Sequence, residues 1–247
     1  MTAEPPVIPL PPLAGRQAES WRALVEMARQ LGRHWVLVGG QMVFLHEVER
    51  EAADTRPTDD VDVVVDLRVK PAGLAHAHHV LTRFGFDQSA PGRDGVAHRY
   101  RRRGATIDVL APDNPGRRAP LTLGIGRTIE APGASQALSR SSTVRVELAD
   151  GAVAPVRRPT LVGALLGKVA ATGIVAQSPA DRAKHLRDVD SLARLLGAAD
   201  REGAHLVPRE RAALARAADL PGISPLGRRA IVVLAAPPGG PHQPDRG

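Results

Sequence analysis

Apolar positions recur at helical spacing from Gln17 to Leu31, where Trp21, Leu24, Val25, Ala28 and Leu31 share one face and Gly32 ends the pattern. A short apolar run, Trp35 to Val38, follows and closes on Gly39-Gly40, which predicts a strand entering a tight turn. Gln41 to Glu51 returns to helical spacing, and Asp54 to Thr58, with Pro57 inside it, is a polar loop. The valine-rich stretch Val61 to Leu67 predicts a second strand. Pro71 suits the first position of a helix that runs to Phe84 and stops at Gly85. Val96 to Arg102 and Ala105 to Leu110 then predict two strands of a hairpin turning at Arg103-Gly104.

Residues 111 to 142 scatter Pro, Gly and Ser through weak patterns and predict no clear element. Thr143 to Leu148 and Ala152 to Val156 flank Ala149-Asp150-Gly151 as a further hairpin. Beyond it the pattern turns helical: Pro159 to Thr172, then Ser178 to Leu196 with Ser178 as N-cap, Pro179 at the first position and Gly197 as the stop. Two more helices are expected near Pro208 to Leu220 and Pro225 to Leu234. The first fourteen residues include five prolines, and residues 236–247 are rich in Pro and Gly, so both ends read as mobile tails. The expected organisation is a flexible tail (1–14), an α/β core of the α+β type (15–158), a mainly helical C-terminal region (159–235) and a disordered tail (236–247). There is no internal repeat.

A chain of 247 residues can bury a substantial core without staples, and it has none: with no cysteine, disulfides, thiol nucleophiles and Cys-ligated zinc are excluded. Its 2 Trp, 1 Tyr and 3 Phe leave the core to Val, Leu, Ile and Ala, and argue against the aromatic platforms of single-strand readers. The net charge of +7 favours an anionic partner. It is carried almost wholly by arginine, since Lys70, Lys168 and Lys184 are the only lysines among 33 basic residues, so general compositional pressure dilutes that inference. No apolar run of about 18 residues is present to cross a membrane. A cytoplasmic protein with no membrane partner is the expectation.

The informative stretch is Arg56-Pro-Thr58-Asp59-Asp60-Val-Asp62-Val-Val-Val-Asp66. On a strand Asp60 and Asp62 project to one side and Val61, Val63 and Val65 to the other. Ionised neighbours beside a buried valine run require a compensating cation, and Mg²⁺ is suited to one or two carboxylates together with substrate phosphates. Asp108, in Thr106-Ile-Asp-Val-Leu, is a third carboxylate on a strand that can pair beside the first. Three carboxylates can hold two metals, one for the attacking oxygen and one for the leaving group. A solvated strand edge is the competing reading of Asp-x-Asp. Upstream, Gly39-Gly40 lies between a strand and a helix, where free helix N-terminal amides let a phosphate approach the backbone; a simple turn is the alternative. Lys168, one of three lysines in an arginine-dominated chain, suggests a need for a compact ammonium at a phosphate; a helix-surface lysine beside Leu165 and Val169 is the alternative.

A strand ending in Gly-Gly, then a helix, then Arg-x-Thr-x-Asp-Val-Asp on the next strand resembles the nucleotidyltransferase fold of the DNA polymerase β superfamily, and within it the AbiEii/MenT group of toxin-type enzymes. The resemblance spans roughly residues 20–197 and is specific at Val38 to Gln41 and Arg56 to Asp66. It implies a polymerase β-like core with a short mixed sheet, followed by helices. It also implies transfer of NMP from an NTP to an acceptor hydroxyl, with Mg²⁺, or Mn²⁺ in its place, in a two-metal site. Asp60, Asp62 and Asp108 would be the metal ligands and catalytic carboxylates, with Lys168 and Asp188 completing the catalytic set. Gly39, Gly40, Gln41, Thr58 and Lys168 would bind the nucleotide. The implied acceptor is the 3′ end of tRNA, making the chain the toxin of a type IV toxin-antitoxin pair with a separately encoded antitoxin. Gln41, where a small residue is usual, and Ser191, where a second aspartate is usual, depart from the group. The alternatives are transfer to a small molecule such as an aminoglycoside, and a non-catalytic nucleotide-binding module.

Several weaker signals are read as structural. His76, His78 and His79 lack a carboxylate or cysteine at zinc spacing and suit a solvated helix face. Tyr100 within Arg99 to Arg103 could touch an RNA backbone or decorate a charged hairpin. Gly124-Ile-Gly-Arg127 is too short for a dinucleotide fingerprint. Arg157, Arg158, Arg182, Lys184 and Arg187 could line an acceptor groove.

Overall fold

A computed structural model describes residues 4–53, 58–116, 119–174 and 178–237. Arg56 and Pro57 of the acidic motif, and most of the expected C-terminal tail, lie outside the described residues. In chain order the first elements are β1 (Val7–Pro9), α1 (Gly15–Leu31), β2 (Trp35–Val38), α2 (Gly39–Glu49), β3 (Asp60–Val65) and α3 (Gly73–Arg83). Next come β4 (Asp87–Gln88), β5 (Arg99–Arg102), β6 (Ala105–Pro112), β7 (Thr122–Leu123), β8 (Gly126–Arg127), β9 (Glu130–Ala131) and α4 (Ala134–Ser139). The chain continues with β10 (Ser141–Glu147), β11 (Val153–Pro159), α5 (Leu161–Thr172), α6 (Pro179–Arg194), α7 (Ala198–Glu202), α8 (Pro208–Ala218) and α9 (Pro225–Ala235).

The fold is mixed α/β, with a strand-rich first part and helices from α5 onward. The main sheet runs β2-β3-β6-β5-β4, with β9 pairing to the far end of β6. Strands β2 and β3 are antiparallel and β3 and β6 are parallel. The hairpin expected at Arg103-Gly104 forms as β5 and β6, with Arg103 and Gly104 both at positive φ. A second sheet, β1-β10-β11, contains the other expected hairpin.

Valine alternation explains the core. Val61, Val63 and Val65 of β3 point into one cluster with Trp21, Leu24, Leu37, Ile107 and Val109, while Val36, Val64 and Leu110 face α4 on the other side. The main cluster continues into Leu165, Val189, Leu192, Leu214 and Ile231, so the helical region shares the hydrophobic interior of the α/β region. Ser178 caps α6 by accepting from the Asp181 N–H, and Thr160 caps α5 by accepting from that of Gly163.

The structure differs from the sequence pattern in four places. The proline-rich beginning is not simply a tail: Val7–Pro9 forms a parallel strand on β10, with Ile8 buried and Leu10 donating to the Glu147 carbonyl. No separate turn follows β2, because Gly39 is itself the first residue of α2. Helix α3 begins at Gly73 rather than Pro71, after turns in which Lys70 donates to Asp66 and Gly73 to Lys70. The unreadable region 111–142 supplies β7, β8, β9 and α4, each six residues or fewer and too short to leave a period.

Candidate functional site

The site is built where β3, β6 and the start of α2 meet. In the β-ladders Asp62 stands opposite Val38 on one side and Asp108 on the other, so the end of β2 and two carboxylates share one row across the sheet. Asp60 lies two residues away on the same face of β3. Gly39, at φ +70, brings the first turn of α2 directly against Asp62, and a Cβ there would overlap the Asp62 carboxylate. A Cβ on Gly40 would come within 2.7 Å of the Thr58 hydroxyl. Both positions therefore require glycine for close approach, and Gly39 also for its backbone conformation.

Gln41 has a different place. It is fully buried, its Oε1 accepts from the Trp21 indole at 2.7 Å, and its Nε2 donates to the Thr58 carbonyl at 2.5 Å. Ser20 donates to the Asp59 carbonyl in the same region. Helix α1 and Gln41 thus pin the backbone that leads Thr58 into Asp60, and the Gln41 amide is committed to the protein interior. The other departure from the family pattern, Ser191, donates to Glu47 of α2 at 2.5 Å. Asp190 accepts from the N–H and hydroxyl of Ser224 and so holds the start of α9.

Charge is unevenly balanced among the carboxylates. Arg99 grips Asp108 bidentately, its Nε at 2.8 Å from Oδ1 and its Nη2 at 2.7 Å from Oδ2, and the same Nη2 lies 3.9 Å from Asp60 Oδ2. This pairing raises the Arg99 pKa. Among the described residues Asp62 has no such clamp: burial first, and the Asp108 charge second, push its carboxyl up to about 6, against the pull of Lys168 and Lys184. Lys168, on α5, is buried and donates to Asp188 of α6 at 2.7 Å; both residues are nearly sealed from solvent.

A cavity of about 430 Å³ opens beside this group. Asp62, Lys168 and His185 are its ionisable walls on the side of the carboxylates, and Gly39 and Met42 contribute the start of α2. Its body is apolar and made of small residues, including Gly133, Ala134, Gly163 and Gly167. The volume suits a ligand of mononucleotide scale. The cradle at the α2 N-terminus, with free amides and the positive end of the helix dipole, suits an anion.

The donor chemistry fits a hard divalent cation at Asp60 and Asp62, since an unclamped, half-buried carboxylate with a raised pKa gains from a positive neighbour. Among the described residues no three His, Asp or Glu side chains form a ready-made metal cluster. At Asp108 both oxygens are already engaged by Arg99.

The structure thus brings Asp60, Asp62, Asp108, Gly39, Gly40 and Thr58 together, and sets Lys168 and its partner Asp188 on the neighbouring wall. Sequence reasoning did not single out the role of Arg99, though counting back from the Arg103-Gly104 turn pairs it with Asp108. It also missed His185, whose Nδ1 is buried with no partner among the described residues, and the wall around Gly133. Two suggested RNA contacts are internal: Tyr100 is buried with its hydroxyl against His78, and Arg158 is buried against Glu49. Arg157 is tied to the carbonyls of Arg33 and Leu138.

No protein family and no curated protein matches the chain in sequence. Among solved structures, the chain is similar to an antigenic nucleotidyltransferase-like protein from Paracoccidioides brasiliensis, with 18% identity and a TM-score of 0.48, over 83% of this chain and 89% of that one. Among the described residues no helix is long and apolar enough to cross a membrane.

Proposed function

We propose that the chain is a metal-dependent nucleotidyltransferase that moves NMP from an NTP to an acceptor hydroxyl. The observation that carries this reading is the single row formed by the start of α2, Asp62 and Asp108, with Gly39 pressed against the Asp62 carboxylate and Lys168 facing the same cavity. Asp60 and Asp62 would hold Mg²⁺, or Mn²⁺, with Asp108 joining once Arg99 yields an oxygen. When bound, the ion would supply charge neutralisation at the transferring phosphate and polarise the acceptor oxygen.

The protein's own groups supply the rest. The amides of Gly39 and Gly40 receive the phosphates, and Lys168, oriented by Asp188, adds a fixed positive charge beside them. Gln41 holds the Thr58 backbone, and with it the path of Asp60, in place. The small-residue cavity receives the nucleoside end and excludes water. Catalysis in this scheme is mainly positioning and electrostatic stabilisation.

We further propose an RNA acceptor, with the 3′ end of tRNA and a toxin role as its most specific form. The support is α6, where Arg182 and Arg187 are exposed and Lys184 is close enough to lower the Asp62 pKa. That basic edge suits a polyanion better than a cationic aminoglycoside. A second reading, a nucleotide-binding module without turnover, is favoured by the bidentate hold of Arg99 on Asp108.

The test is incubation with Mg²⁺, each α-³²P-labelled NTP in turn and total tRNA, with Asp62→Ala as control. Label on tRNA with the wild type alone supports the transferase and its RNA acceptor. Nucleotide binding that depends on Asp62 without transfer to any acceptor supports the second reading. Absence of both binding and transfer overturns the site.

A further inference from the structure

A second cavity, of about 530 Å³, lies between α5 and α8 and is lined by different residues of α5 from those facing the carboxylates. Its floor is aliphatic: Leu166, Val169 and Ala170 come from α5, and Ala213, Ala217 and Leu220 from α8 and the residues after it. Its rim carries Arg182, Arg209 and Arg216, all exposed. Among the described residues none of these three guanidinium groups has an ion-pair partner. The acidic residue in the lining, Glu210, is buried and spent on Arg140 at 2.9 Å and on the Val207 N–H.

We propose that this groove docks an acidic amphipathic helix of a partner protein. The argument is complementarity. An apolar channel between two helices accepts the apolar stripe of a third, presented at i, i+3, i+4 and i+7. Three unpaired arginines on the rim select carboxylates flanking that stripe and reject basic partners. A nucleic acid would use the arginines but waste the floor, which offers no aromatic face for stacking and is mainly aliphatic, with Gln136 and Thr172 its uncharged polar side chains. None of the residues in the groove belongs to the carboxylate site; Arg182 alone is shared with the basic edge proposed for an RNA acceptor, so the test is placed on Arg209, Arg216 and Ala213.

The experiment uses the full chain and a fluorescein-labelled synthetic helical peptide of about 18 residues, with Leu on one face and Glu on its flanks. Two probes accompany it: a scrambled peptide of the same composition and total tRNA. Fluorescence anisotropy is expected to show saturable binding of the amphipathic peptide, weakened at least about tenfold by the double variant Arg209→Glu, Arg216→Glu and by Ala213→Gln. Circular dichroism confirms that the variants are folded, and Asp62→Ala should bind the peptide as the wild type does. Equal binding of the scrambled peptide would reduce the groove to a charged surface and overturn the proposal. So would tRNA binding that the same variants abolish, or no saturable peptide binding up to about 1 mM. If peptide binding holds while no NTP is bound or transferred, the docking surface stands and the transferase reading falls.

Discussion

The two ends of α2 carry charge in opposite ways: Gly39 abuts an aspartate with no ion-pair clamp among the described residues, whereas His46, Glu49 and Arg50 sit among opposite charges that pair. At the far end Arg158 donates to Glu49, His46 Nε2 faces the Pro159 carbonyl at 3.1 Å, and Arg50 reaches Asp200 at 2.9 Å. There burial acts against the charged form of Glu49, but the His46 ring 3.7 Å away and the Arg158 charge outweigh it and hold the carboxyl down to about 2, while His46 is pushed down to about 4, chiefly by burial. At the near end burial and Asp108 hold Asp62 up at about 6. At the balanced end opposite charges pair and the ionised form of Glu49 is favoured, although His46 Nδ1 and Arg158 Nε stay buried without a hydrogen bond among the described residues. The unbalanced end costs stability and keeps an attraction for cations, which is the signature of a site shaped for a ligand rather than for folding.

The largest effect should come from removing the unbalanced charge. Asp62→Ala is expected to abolish transfer, by about a thousandfold or more, in the labelled-NTP assay. Asp62→Asn should be equally inactive yet melt a few degrees above the wild type at neutral pH, because relieving a carboxyl raised from 3.8 to about 6 recovers up to about 3 kcal/mol. A lower melting temperature for that variant would show that the two ends of α2 do not differ as described.

Breaking the balanced end should do the converse. Glu49→Gln strands the buried Arg158 and is expected to cost about 3 kcal/mol in urea denaturation, with turnover per folded molecule nearly unchanged. At the near end again, Arg99→Gln frees both oxygens of Asp108 and removes a positive charge from the group. Mg²⁺ affinity by calorimetry should then rise about fivefold to tenfold, equivalent to about 1 kcal/mol. Weaker Mg²⁺ binding would mean that Arg99 orients the carboxylates for the ion rather than substituting for it.

The smallest effect concerns pH. His46, depressed to about 4, contributes stability that is full above 6.5 and lost as pH falls through about 4. Asp62, raised to about 6, acts in the reverse sense: its protonated form is favoured on folding, a gain that is full below 3.8 and lost as pH rises through about 6. Over that shared window the two oppose each other. Asp62→Asn should therefore lose stability on acidification more steeply than the wild type, as followed by urea midpoints across the window.

What was legible in the sequence follows from range. The valine alternation of β3, the Arg103-Gly104 hairpin and the Ser178 cap are written in neighbouring residues, and the structure reproduces each. The same local signals singled out Asp60, Asp62 and Gly39. The state of the site depends on pairs far apart in the chain, and these left no local trace. Lys168 and Asp188 are twenty residues apart, and Gln41 meets Trp21 from the same distance. Gln41 stands where the resembled group has a small residue, and nothing near it in the sequence signals that its amide turns inward to Trp21 and the Thr58 carbonyl. Strand β1 was hidden for a related reason, since three residues among prolines have no period, and their partner lies beyond residue 140.

That last pairing has a consequence for the timing of synthesis. Val7–Pro9 can be hydrogen-bonded in this sheet only after Arg145–Glu147 exists, so a strand made before β2 to β10 is among the last to be placed. At about 5 to 20 residues per second the interval is roughly 7 to 28 seconds. During it α1, β2, α2 and β3 can already collapse around Trp21 while the leading segment waits unpaired. The prolines that flank it, which cannot donate to a stray β-ladder, suit a segment that must stay unattached until its own partner arrives.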